Sequence, residues 1–252
     1  MKELKIFLIS SYLWTMATLI TVLISSLILL TLPLALFDPD RRWAHRLGVL
    51  WATLLLKLNF SWHLQVVGRE HLKKGKGYIL VANHASLADI VCLFSLNHQF
   101  KWLAKRSLFQ VPFLGWAMSV MRYIPLERGQ YGSIRTSYAE ALDWLRKGIS
   151  VLIFPEGTRS RTGELGNFKS GAFRLALETG LPIVPIVLAG TQKVLSKGQA
   201  TFGKASVACL SVLPPMETNG FDATDEAKLQ KRVEEAMREE LRKRNRMLGS
   251  VD

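Results

Sequence analysis

The segment Asn83-His84-Ala85-Ser86-Leu87-Ala88-Asp89 offers an imidazole and a carboxylate at a spacing suited to proton transfer. On one continuous helix, positions five apart point about 140° from each other, so His84 and Asp89 would not meet there. They meet if His84 lies in a turn after the apolar run Gly77-Tyr78-Ile79-Leu80-Val81-Ala82. With Ser86 as N-cap, Asp89 falls in the first helical turn and its carboxylate reaches back to the ring. A base whose second nitrogen is held by a carboxylate is what deprotonation of a hydroxyl needs. The same residues also read as a capping box, Ser86 to Asp89, beside a surface histidine. No nucleophile-elbow sequence positions a Ser or Cys, so direct attack by a substrate hydroxyl is the simpler chemistry.

A second polar segment, Phe154-Pro155-Glu156-Gly157-Thr158-Arg159-Ser160, follows the apolar run Ile149 to Phe154. Glycine lets a backbone approach a ligand, and an arginine grips phosphate with a bidentate fork. Lys105 after Lys101-Trp102-Leu103-Ala104, and Arg128 after Tyr123 to Glu127, add cations at two further strand ends. Each alone is equally the mark of a solvated loop.

The elements that must position these residues alternate. Ser61 to Val67, Gly77 to Ala82, Lys101 to Ala104, Tyr123 to Leu126, Ile149 to Phe154 and Ile183 to Ala189 read as strands. Ser86 to Leu96, Val111 to Met121, Ser133 to Lys147 and Ser170 to Thr179 read as helices, with Gly148 as a C-terminal stop. This order predicts an α/β fold: a mostly parallel central sheet flanked by helices, with chemistry at the carboxyl ends of the strands.

Ahead of that domain, no residue from Ile6 to Phe37 is charged. A helix of that length, at ~1.5 Å per residue, exceeds the ~30 Å hydrocarbon core of a bilayer. The run is too long for a signal peptide and lacks a cleavage site, so it is expected to stay. After Pro33, Asp38 and Pro39 comes a second helical pattern, Trp43 to Leu58, flanked by Arg41, Arg42, Arg46 and Lys57. One spanning helix plus an interfacial one, or a two-helix hairpin in one leaflet, both fit. The expected division is residues 1–58 as membrane-docking helices, 59–220 as the catalytic domain, and 221–252 as a charged C-terminal helix and tail. In the last, Leu229, Val233, Met237 and Leu241 form an apolar stripe.

The net charge is +13, and the tail from Phe221 onward is balanced, so the positive excess lies in the body. Such a surface suits an anionic partner: phospholipid, an acidic carrier protein or nucleic acid. No nucleic-acid-binding motif is present and the apolar anchor is foreign to such a function, so nucleic acid is not an expected partner. Cys92 and Cys209, each in an apolar run, read as buried free thiols, and no metal-ligand spacing occurs.

Together the polar blocks resemble the glycerolipid acyltransferase family, and within it the bacterial 1-acylglycerol-3-phosphate acyltransferases. Asn83 to Asp89 matches the block N-H-x-S-x-x-D, which supplies the catalytic His and Asp, and Phe154 to Ser160 matches F-P-E-G-T-R-S. Tyr123 to Arg128 looks like the block whose arginine helps bind the acceptor, Val184-Pro185-Ile186 resembles the fourth block, and Lys105 sits where the family places a phosphate-binding lysine. The resemblance runs over about residues 60 to 215. It implies transfer of a fatty acyl group from acyl-CoA or acyl carrier protein to the sn-2 hydroxyl of lysophosphatidic acid, with no metal and no cofactor beyond the donor. Other acceptors, such as a lyso-ornithine lipid or glycerol-3-phosphate, need the same base. By the same resemblance His84 is the general base and Asp89 holds its tautomer. Lys105, Arg128 and Arg159 bind phosphate; Asn83, Ser86 and Thr158 join them at the substrate, and Glu156 and Gly157 shape the loop. Backbone N–H groups at the start of the Ser86 helix are the expected oxyanion donors. The enzyme is expected at the cytoplasmic face of the inner membrane.

Overall fold

The computed structural model describes residues 2–58, 62–203, 206–222 and 224–249. The first expected strand residue, Ser61, and the expected boundary at residue 59 lie outside them. The N-terminal apolar run forms α1 (Lys2–Leu30) and a 3-10 turn (Leu32–Leu36) that Pro33 opens. Helix α2 (Arg42–Leu58) starts where the Asp38 carboxylate accepts the N–H groups of Arg42 (2.9 Å) and Trp43 (2.8 Å). These donors of the first turn have no helical acceptor, which is why a carboxylate is favoured there. The chain then runs β1 (Trp62–Val67), β2 (Ile79–Ala82), α3 (Ala88–Phe94), β3 (Phe100–Lys105), α4 (Leu114–Val120) and β4 (Ile124–Leu126). It continues with α5 (Tyr131–Arg146), β5 (Ser150–Ile153), α6 (Gly171–Thr179), β6 (Ile183–Ala189), α7 (Thr191–Val194), β7 (Ser206–Val212) and α8 (Glu226–Gly249).

The strands form one seven-stranded sheet in the order β1-β7-β6-β2-β5-β3-β4, parallel throughout except for the β6–β7 pair. Both faces are covered, as continuous apolar strands require. Leu80 and Ala82 of β2 face a core shared with α1 to α4, whereas Ile79 and Val81 face one shared with α5, α6 and α8. The stripe Leu229, Val233, Met237 and Leu241 is fully buried in the second core, which seats α8 on the sheet.

α1 and α2 form a hairpin that rests on the first layer. Trp51 Nε1 donates to Thr21 Oγ1 (2.9 Å) between the two helices. Ser10 Oγ accepts the N–H of Phe202 (3.1 Å) and Trp14 Nε1 donates to the carbonyl of Ala200 (2.6 Å), so α1 lies along the domain. At the elbow the Asp40 carbonyl accepts Gln99 Nε2 (2.7 Å) and Lys101 Nζ (2.8 Å). The outer side of α1 stays bare: Leu4, Phe7, Leu8, Tyr12, Leu23 and Leu30 are exposed. Within α1, Glu3–Leu30 is long and apolar enough to cross a membrane.

Several elements differ from their expected bounds, and two helices near the site begin late for identifiable reasons. The helix expected from Val111 begins only at Leu114, because Pro112 and the left-handed backbone of Phe113 (φ 61°) interrupt it. The helix expected from Ser86 begins at Ala88, because Ser86 is held in the preceding turn. Strand β7 was not expected. It fills the gap between β1 and β6 by pairing antiparallel with β6 and parallel with β1.

Candidate active site

His84 lies in the turn between β2 and α3, and Nδ1 is 2.8 Å from Asp89 Oδ2. The same oxygen accepts the N–H groups of Ala85 and Ser86, both at 2.7 Å. The Asp89 side chain is 0% exposed and that of His84 12%. A carboxylate oxygen that accepts two backbone N–H groups cannot rotate away, so the ring is held through Nδ1. Nε2 has no protein partner among the described residues and is the nitrogen left for a substrate. The ring plane is fixed as well: the Phe154 ring stacks on it at 4.1 Å and 17°, and Trp102 meets Phe154 edge-on at 6.3 Å and 85°.

The loop from Pro155 to Lys169 is clamped to this turn. Glu156 accepts the N–H of His84 (2.8 Å) with one carboxylate oxygen and that of Gly166 (2.9 Å) with the other. Burial raises its pKa above the usual carboxylate range, while the two N–H donors act in the opposite direction. Ser160 N–H donates to the His84 carbonyl (2.7 Å), a second tie. Gly157 has φ +70°, and a Cβ there would stand 3.1 Å from Lys169 Cε, so both the turn and the neighbour call for glycine.

Asn83 and Ser86, expected at the substrate, are turned into the frame. The Asn83 amide is spent at both ends on the backbone of Leu188 in β6, at 2.9 and 2.7 Å. Ser86 Oγ donates to the Leu195 carbonyl (2.7 Å) and accepts the Ala88 N–H (3.1 Å). The expected oxyanion donors are occupied too. Ala85 and Ser86 N–H groups go to Asp89, that of Ala88 to Ser86 Oγ, and those of Asp89 and Ile90 to the carbonyls of Ser86 and Leu87. Only the Leu87 N–H of this turn lacks an acceptor among the described residues.

β2, β5, β3 and β4 are consecutive and parallel, so their carboxyl ends form one rim. That rim carries His84, the Glu156–Arg159 loop, Lys105 and Arg128 in spatial order. Lys105 and Arg128 are exposed and Arg159 is half-buried; none of the three has an ion-pair partner among the described residues. Sequence reasoning missed two further cations beside the loop. Lys197 Nζ donates to the Arg159 carbonyl (2.6 Å) and to Thr158 Oγ1 (3.3 Å), and the Lys169 side chain lies over Gly157. No local pattern singles either out, because only the tertiary approach brings them to the loop.

Beside the turn opens an apolar cavity of about 510 Å³ between the hairpin and the sheet. Leu87 and Ala88, which separate His84 from Asp89 along the chain, line it, as do Trp102, Ala117, Met118 and Ile24 of α1. Cys92 also lines it. Burial, and then the Asp89 charge, push that thiol far above its usual pKa, so it stays protonated and is no nucleophile.

An imidazole–carboxylate pair thus stands at the rim of a parallel sheet, beside cations and an apolar cavity. The chain matches the family model described as Acyltransferase over residues 63–189, and it belongs to that family. It is 41% identical over 165 residues to the 1-acyl-sn-glycerol-3-phosphate acyltransferase LPAT1, chloroplastic, of Arabidopsis thaliana, covering 65% of this chain and 46% of that protein. It is 35% identical over 133 residues to the 1-acyl-sn-glycerol-3-phosphate acyltransferase of Borreliella burgdorferi, covering 52% of this chain and 53% of that one. The chain thus spans about half the length of these relatives. The crystal structure of the 1-acyl-sn-glycerophosphate (LPA) acyltransferase PlsC from Thermotoga maritima is similar with a TM-score of 0.81 at 27% identity, covering 96% of this chain and 97% of that chain.

Proposed function

We propose that the protein transfers a fatty acyl group from an acyl thioester to the sn-2 hydroxyl of 1-acyl-sn-glycerol-3-phosphate, giving phosphatidic acid. The observation that carries this reading is the 2.8 Å pair of His84 Nδ1 and Asp89 Oδ2, which leaves Nε2 free in a turn whose Leu87 and Ala88 line a 510 Å³ apolar cavity. Nε2 takes the proton of the acceptor hydroxyl as its oxygen attacks the thioester carbonyl, and Asp89 stabilises the imidazolium that forms. The tetrahedral intermediate collapses, and the sulfur leaves with the proton returned by His84. The protonated Cys92 supports direct transfer over a covalent acyl-enzyme. The Leu87 N–H is the oxyanion donor that remains available in the turn.

Arg159, Lys105 and Arg128 hold the acceptor phosphate, since guanidinium and ammonium groups without carboxylate partners favour an anion. Asn83, Ser86, Glu156 and Gly157 shape the site and do not touch the lipid. The cavity takes the acyl chain; its volume is that of a small-molecule pocket, and Leu87 and Ala88 of the His84–Asp89 turn line it. The bare face of α1 docks the protein on a membrane, with the basic body towards the anionic cytoplasmic surface. A membrane-resident acceptor explains why a hairpin walls the cavity. The test is a matrix of acyl-CoA and acyl carrier protein donors against lysophosphatidic acid, glycerol-3-phosphate and lyso-ornithine lipid in mixed micelles. Turnover is expected with lysophosphatidic acid, and its absence with every donor would reject the assignment.

A further inference from the structure

The cations at the rim fall into two groups. Lys105 and Arg128 stand at the ends of β3 and β4. Lys197 comes from the other side, from the segment after β6 and α7, and Lys169 lies over Gly157. With neighbouring strands ~4.8 Å apart, the ends of β6 and β4 are about 19 Å from each other in the order β6-β2-β5-β3-β4. The two groups therefore reach the rim from different elements, β3 and β4 for the first and the segment after α7 and the end of the Pro155 to Lys169 loop for the second. The Gly157–Arg159 turn stands between them.

The acyl transfer proposed above has two phosphorylated substrates that must meet at His84. The acceptor carries its own phosphate, and acyl-CoA and acyl carrier protein share the 4′-phosphopantetheine phosphate, which is half of a diphosphate in the first and a phosphodiester to serine in the second. We propose that Lys197 and Lys169 form a second anion subsite, which holds the phosphopantetheine phosphate of the acyl donor. An ammonium has three donor protons. Lys197 spends two, on Thr158 Oγ1 and the Arg159 carbonyl, and keeps one; Lys169 Nζ spends none among the described residues. Neither amine is paired with a carboxylate among the described residues. The segment that carries Lys197 also accepts Ser86 Oγ at the Leu195 carbonyl (2.7 Å), so the subsite is tied to the turn that holds the base. One loop therefore separates the two anions and sets the thioester against the acceptor hydroxyl.

This assignment rests on the acyl-transfer reading, and a binding measurement separates the two. The full chain and its Lys197→Met, Lys197→Arg and Lys169→Met variants are assayed for the KM of acyl-CoA and of lysophosphatidic acid. Binding of 4′-phosphopantetheine and of adenosine 3′,5′-bisphosphate is measured by calorimetry without turnover. Loss of one charge-assisted contact weakens binding roughly tenfold or more. The expected result is a donor KM and a 4′-phosphopantetheine Kd raised about tenfold in Lys197→Met and Lys169→Met, with the acceptor KM unchanged and Lys197→Arg largely restored. Lys169→Met keeps the loop bonds of Lys197, so it reads the charge apart from any loop movement. Unchanged donor binding, a loss confined to adenosine 3′,5′-bisphosphate, or acceptor and donor KM rising together would each overturn the proposal. If the wild type turned nothing over yet bound 4′-phosphopantetheine through both lysines, the subsite would stand and the acyl-transfer reading would fall.

Discussion

Asp89 meets His84 with the oxygen that also closes the turn. Oδ2 accepts Nδ1 at 2.8 Å together with the N–H groups of Ala85 and Ser86, while Oδ1 is buried with no partner among the described residues. Orientation of the ring and closure of the turn therefore share one atom. In the proposed mechanism Asp89 stabilises the imidazolium, and on that proposal turnover of Asp89→Asn is expected to fall by ~10²–10⁴-fold. Because the turn loses a charged acceptor, unfolding free energy falls as well, by about 1–3 kcal/mol. Steady-state kinetics and denaturant unfolding measure both, and a loss of activity without loss of stability would deny the shared role.

Arg159→Ala removes a guanidinium that has no protein partner among the described residues and lies on the loop clamped to His84. The KM for the phosphorylated acceptor is expected to rise by roughly 10–100-fold, with the donor KM little changed. An unchanged acceptor KM would remove Arg159 from the phosphate site.

Glu156→Gln tests the clamp. Both carboxylate oxygens accept backbone N–H groups, from His84 and Gly166. An amide must turn its NH2 towards one of them and leaves that buried donor unsatisfied, so stability drops by about 1–3 kcal/mol. Thermal unfolding reads this directly; a melting temperature equal to the wild type would show that the loop is held by other contacts.

Ala117 in α4 is buried and lines the apolar cavity. Ala117→Phe fills part of that space, and the preferred acyl chain is expected to shorten by a few carbons, with the longest donors losing about tenfold in kcat/KM. Competition between acyl donors of different length measures the shift. A profile unchanged in length would place the chain elsewhere.

The reach of sequence reasoning follows the range of the interactions. The His84–Asp89 pair was legible because its members are only five positions apart in one turn, and β2, α5 and the α8 stripe were legible through period and apolarity. Roles set by distant partners were not. Asn83 binds Leu188, 105 positions away, so its amide was read as free for substrate. Lys197 reaches Thr158 across 39 positions and looked like any surface lysine. Of the N–H groups expected as oxyanion donors at the helix start, Asp89 and Ser86 consume those of Ala85, Ser86 and Ala88, a consequence of side-chain placement that the residue pattern does not show. Strand β7 escaped notice because its place in the sheet depends on pairing with β1 and β6.

His84→Ala gives the most direct measurement. Removing the ring deletes Nε2 but leaves the Glu156 contact to the residue 84 N–H, the Ala85 and Ser86 N–H bonds to Asp89, and the hairpin intact. Purified variant and wild type are compared for acyl transfer to lysophosphatidic acid and for membrane binding and melting temperature. The expected result is turnover reduced by at least ~10²–10⁴-fold with near-native membrane binding and folding. Turnover within a few-fold of wild type would contradict the assignment of His84 as the base.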